Sequence, residues 1–211
     1  MRRLRFLVPL LVPLSLVQFG CKSVKEGDSG HHDDAHGLVT SVHLTLTAAG
    51  SGESEVVRWE DPELDGVDVL IESIDLHLNE TYQLDVAFIN QAENPEEDVT
   101  HEVEEHAEDH QIFYRGSGVS GPASDNSAAL VEQAYLDTDP EGLPLGLSVS
   151  LTPVSAGDGE LELTLRHLPE QGGSPTKVAG LAEQVAADGG FSGIGGDTDV
   201  QVVFPLSVVE P

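Results

Sequence analysis

Histidine is the residue whose placement first suggests chemistry. Three of the nine in the chain, His101, His106 and His110, fall within residues 95–110 (PEEDVTHEVEEHAEDH), where Val99, Val103 and Ala107 recur at every fourth position. That spacing, with acidic residues in the first turn, predicts a helix with one narrow buried edge. Residues four apart on a helix lie one above the other, so His106 and His110 could grip one metal ion, and Asp98 and Glu102 continue the same stripe. The string His101-Glu102-Val103-Glu104-Glu105-His106 imitates a zinc-protease helix but fails on spacing. That chemistry needs histidines four apart with the glutamate directly after the first, and here the second histidine comes one residue late. The plain alternative for the whole segment is a solvated acidic face.

His110 stands where the predicted helix passes into a strand, Gln111-Ile112-Phe113-Tyr114, and His167 ends another strand beside Arg166. Histidines at strand ends can be ligands held by a rigid scaffold. The candidate metal set is therefore His106, His110 and His167, with Glu102 next, and zinc is the first metal to consider, with copper as the other. Whether His110 and His167 meet in space is not legible at this level. A second cluster, His31-His32-Asp33-Asp34-Ala35-His36, would collect zinc or copper loosely, as flexible ligand-rich tracts do, or is simply a polar spacer. Calcium ranks below both metals. Asp61-Pro62-Glu63-Leu64-Asp65-Gly66 with Glu72 at the twelfth place, and Asp137-Thr138-Asp139-Pro140-Glu141-Gly142, open like calcium loops, but flanking strands replace the helices that such loops require.

Catalysis finds little support. The chain has no Gly-x-Ser-x-Gly elbow and no phosphate loop, and Gly193-Ile194-Gly195-Gly196 lacks a strand-turn-helix setting. The expectation is a protein that is not an enzyme.

The elements that must position these residues are mostly strands. In residues 39–47, Val42, Leu44 and Leu46 share one face and Ser41, His43, Thr45 and Thr47 the other. Residues 55–59, 69–78, 82–90, 111–115 and 200–209 read the same way. Residues 147–153 and 160–168, separated by Gly157-Asp158-Gly159, look like a hairpin. A second short helix is predicted over residues 176–188, with Val178, Leu181 and Val185 at helical spacing and Gly189-Gly190 at its end. Strands at regular intervals with turns between them predict a mainly β fold: an immunoglobulin-like antiparallel β-sandwich with one or two short helical insertions, filling residues 37–211 as one domain.

What precedes the domain is different. Arg2, Arg3 and Arg5 lead into an apolar run from Phe6 to Val17, followed by Gly20 and the only cysteine, Cys21. This is the layout of a signal peptide over residues 1–20, too short and too interrupted by Pro9 and Pro13 to span a bilayer. A cysteine directly after a small residue predicts lipidation of Cys21, with residues 21–36 as a flexible tether. The expected location is the outer membrane, lipid-anchored and facing the periplasm or the surface, or a secreted form if Cys21 is not lipidated. With no second cysteine, the domain holds no internal disulfide. The formal charge of −29 understates its acidity, because three arginines belong to the leader. Such a surface repels phosphate backbones, which sets nucleic acid aside as a partner, and suits cation attraction or docking on a basic surface.

The strings Trp59-Glu60-Asp61-Pro62 through Asp65-Gly66, Leu78-Asn79-Glu80-Thr81-Tyr82, residues 104–114, Asp137-Thr138-Asp139 with Gly146-Leu147, and Thr164-Leu165-Arg166-His167 resemble a family of small bacterial envelope lipoproteins. Its members are often labelled type 1 periplasmic binding fold superfamily proteins and are found near TonB-dependent receptors. The resemblance implies an envelope lipoprotein beside an uptake system, with an outer-membrane receptor or other envelope protein as partner. The family label implies a larger α/β fold, from which a period of two departs. The function expected is a membrane-anchored binding accessory to metal uptake. The alternative is a metal-free interaction or structural lipoprotein that docks through its acidic surface.

Overall fold

A computed structural model describes residues 38–210. The signal peptide, the lipidation site Cys21 and the tether with His31, His32 and His36 lie outside the described residues. The elements run β1 (Ser41–Ala48), β2 (Ser54–Glu60), β3 (Leu70–Ile71), β4 (Ile74–His77), β5 (Tyr82–Asn90), β6 (Glu97–Asp98), α1 (Thr100–Glu105), β7 (His110–Arg115), β8 (Val119–Ser120), β9 (Val131–Tyr135), β10 (Ser148–Pro153), β11 (Gly157–His167), α2 (Leu181–Asp188) and β12 (Asp197–Val209).

The strands form two sheets. The larger has the order β3-β2-β1-β5-β10-β9-β8, with β6 beside β5, and the smaller has the order β4-β12-β11-β7. This is the expected mainly β sandwich with short helical insertions. It is antiparallel apart from two short parallel pairings, β4 with β12 and β8 with β9.

Period-two patterning builds the space between the sheets. Val42, Leu44 and Leu46 of β1, Leu84, Val86 and Phe88 of β5, Leu161 and Leu163 of β11, and Val202, Phe204 and Leu206 of β12 are all buried there. Each such side chain contributes about 1.5–3 kcal/mol when fully buried. With no disulfide to help, this layer is the main source of stability.

β7 departs from alternation, being buried from His110 through Tyr114. Ile112 and Tyr114 join the main core, whereas Phe113 belongs to a second apolar cluster with Ala123, Leu168, Leu181, Ala182 and Val185. Residues 169–196, which include α2, leave the sandwich after β11 and fold over the outer face of the smaller sheet. A strand covered on both faces reads as a continuous apolar run.

Three expectations change. Residues 147–153 and 160–168 are not a hairpin: β10 pairs with β5 and β9 in one sheet, β11 with β7 and β12 in the other. Residues 69–78 are two strands in different sheets, divided at Glu72-Ser73. The helix over residues 95–110 contracts to the six residues of α1, followed by a single 3-10 turn, Ala107–Asp109. Carboxylates explain the contraction. Glu104, Glu105, Glu108 and Asp109 crowd the end where the helix dipole disfavours them, and no basic residue stands in its last turn. The apolar stripe survives: Val99, Val103 and Ala107 are all buried.

Candidate functional site

The register between β7 and β11 decides how the histidines meet. His110, the first residue of β7, is paired with His167, the last of β11. Their rings stack with centroids 5.1 Å apart and planes 20° from parallel. His110 is almost fully buried, and its Nδ1 donates to the His106 carbonyl at 2.8 Å. Its Nε2 lies 3.8 Å from Asp199 Oδ2, a residue of β12. Glu102, Asp199 and His110, with Val39, Val99, Val103 and Leu165, line a void of about 20 Å³, large enough for one water-sized occupant.

The structure thus brings together His110, His167 and Glu102 of the expected set, and adds Asp199. His106 stands apart. It caps α1 with φ −114° and ψ 39°, so it does not share a helical face with His110, and its side chain is exposed. Its link to His110 runs through its backbone carbonyl. His101 is also exposed, with Nδ1 donating to the Asp98 carbonyl at 2.7 Å. Imidazole lone pairs lie in the ring plane, so two rings stacked face to face do not aim both at one ion. Among the described residues no group of three or more histidine, cysteine, aspartate or glutamate side chains is arranged to hold a metal.

The calcium-like turns are held by their own backbone. Asp137 accepts from the N–H groups of Gly146 (2.7 Å) and Ser148 (3.0 Å), and Asp139 Oδ1 from those of Glu141 (2.9 Å) and Leu143 (2.8 Å). In the other turn, Asp61 Oδ2 accepts from Gly66 N–H at 3.1 Å. Glu72 turns away to β2, where it accepts from the Arg58 N–H at 2.8 Å.

A second set of residues, not singled out by sequence, is the basic one. Among the described residues there are four lysines and arginines: Arg58, Arg115, Arg166 and Lys177. Three of them hold residues 169–196 against the sandwich. Lys177 is buried, donates to the Ala107 carbonyl at 2.8 Å and pairs with Asp139 at 2.8 Å. Arg166 donates to the carbonyls of Gly195 (2.9 Å) and Gly196 (2.5 Å) and to Thr198 Oγ1 (2.7 Å). Arg115 donates to the Gly189 carbonyl at 2.9 Å. Both arginines also lie over the ring of Phe191, at 5.4 and 5.3 Å from its centroid, a favourable cation–π geometry. Arg58 lies 3.8 Å from Glu72.

Burial pushes the Lys177 ammonium below its ordinary value, against the hydrogen bond and charge of Asp139. Burial alone would raise Asp139, but Lys177 and the N–H groups of Leu143 and Glu141 outweigh it and hold the carboxyl below its usual range. The scarcity of basic residues was the available signal for this set: each of the four cations among the described residues has a partner.

No protein-family model, curated protein or solved structure matches this chain.

Proposed function

We propose that this chain is an exported, lipid-anchored envelope protein that docks on a receptor or other envelope partner through its acidic surface. The observation that supports this reading is the placement of the basic side chains. Arg115, Arg166 and Lys177 are engaged in holding residues 169–196, and Arg58 faces Glu72, so the carboxylates outside have few cations among them. An excess of one sign steers association toward a surface of the opposite sign and weakens with salt. The test is binding of the purified full chain to a cationic surface, such as polylysine, with and without chelator. The reading requires binding that falls steeply with ionic strength and ignores the chelator. Binding that needs a divalent metal would overturn it.

The void beside His110 favours a second reading, capture of zinc or copper. Glu102, His110 and Asp199 line a space of one-water size without being arranged as a metal site, so an ion would have to draw them together; the Nδ1 bond of His110 to a carbonyl is the usual way a ligating imidazole is oriented. His167 would join only after its ring turns out of the stack. Here the purified chain should gain melting temperature with zinc, and His110→Gln with His167→Gln should abolish the gain. A gain that survives both substitutions would place the metal elsewhere.

A further inference from the structure

The two sheets part company at the end of the sandwich remote from His110. The chain passes the His110 void at Val39, just before β1, and β1 finishes at Ala48, where it lines a groove of about 490 Å³. The floor of that groove is apolar, made by Leu46, Ala48 and Tyr82. Its walls carry Glu53, Glu55, Asp75 and Glu80.

Both margins of the groove are strand edges. β2 is paired along its length with β1, but on its other side β3 reaches only Trp59 and Glu60. The Glu72 N–H then meets the Arg58 carbonyl at 2.9 Å, and below that point, among the described residues, 54–57 pair with β1 alone. β4 pairs with β12 on one side, and on the other the His77 N–H donates to the Tyr82 hydroxyl at 3.0 Å. An unpaired edge invites an added strand.

Glu55 says which strand is admitted. It is paired with Leu46, so its side chain is on the inner face of the larger sheet, where Val57 is buried two residues on. An inward carboxylate at an edge repels an identical copy, which would bring the same carboxylates with it. For a strand bearing lysine or arginine the sign reverses, and its inward side chains would lie beside Glu55 and Val57 at the margin of the groove.

We propose that the groove between β2 and β4 docks an extended, basic segment of a partner protein, added as a strand along residues 54–57. This rests on acidic-surface docking and names its place. The probe is a short alternating Lys-Val peptide, titrated into the full chain in mild detergent, with its Glu-Val counterpart as control. The Lys-Val peptide should bind and the Glu-Val peptide should not. Glu55→Gln with Glu80→Gln should weaken binding about tenfold. In the unsubstituted chain, the amide signals of residues 54–57 and 75–77 should shift on titration. Absence of binding, unshifted signals at both edges, or spermine binding as tightly as the peptide overturns the proposal. Binding that ignores Glu55→Gln with Glu80→Gln but falls with Glu104→Gln and Glu105→Gln also overturns the groove, while leaving acidic docking intact.

Discussion

The two flanks of the smaller sheet have been treated in opposite ways. Along β7, residues 169–196 lie over the outer face, bring with them the buried Lys177 and half of a second apolar cluster, and are held by Arg115 of β7 and Arg166 of β11. Along β4 the flank is left open above an apolar floor, walled by carboxylates. The cations stand where chain must be held to chain, and the anions stand where the fold meets solvent. One flank illustrates how a covering segment is fixed, the other how an uncovered edge is kept soluble.

The largest effect should come from the covered flank. Phe113 is fully buried and meets Phe191 edge to face at 5.3 Å. Phe113→Ala should cost about 3–4 kcal/mol in urea unfolding. It should also speed amide exchange in α2 well before exchange in β5. Equal acceleration in both would mean that the covering segment and the sandwich melt as one, which would break the contrast.

Lys177 comes next. Removing one member of a buried pair leaves the other charge stranded, so Lys177→Met should cost about 3 kcal/mol, with part recovered by adding Asp139→Asn. The pair also predicts a pH dependence. The folded-state pKa of Asp139 is depressed, so its stabilising contribution is complete above the unfolded value near 3.8 and lost as pH falls through the lower folded value. Acid unfolding of Asp139→Asn should be correspondingly less steep below that point, as read by circular dichroism. An unchanged acid profile would remove the pair from the account of the covered flank.

The smallest effect should belong to the open flank. Glu55→Val should change stability by less than about 0.5 kcal/mol, as surface substitutions usually do, yet raise self-association seen by light scattering. If Glu55→Val stays monomeric, the inward carboxylate is not what guards the edge.

How much of this could be read from residues alone follows the same division. Alternation in residues 39–47 and 82–90 located β1 and β5 and the faces they bury, because burial on one face writes a period of two into the chain. Alternation does not say which strand lies alongside. β10 and β11 carry matching patterns and a turn between them, yet Leu151 and Leu161 belong to opposite sheets of one core. The apolar stripe of Val99, Val103 and Ala107 correctly marked buried positions, but the length of the helix was set by its carboxylates. The meeting of His110 with His167 depends on the β7–β11 register, and the arrival of Asp199 on β12. Neither is a property of any local stretch. The groove was invisible for the same reason: its walls come from residues 53–55, 75 and 80, and only the parting of two sheets makes them neighbours.

β12 sits inside the smaller sheet, between β4 and β11, and is the last strand in chain order. A chain that emerges from its N-terminal side during synthesis or passage through a pore cannot complete this sheet early. β4 must wait for a partner more than a hundred residues downstream, Ile74 for Leu206. The order of strands therefore acts as a timer. Most of residues 38–210 have to be present before the domain can lock.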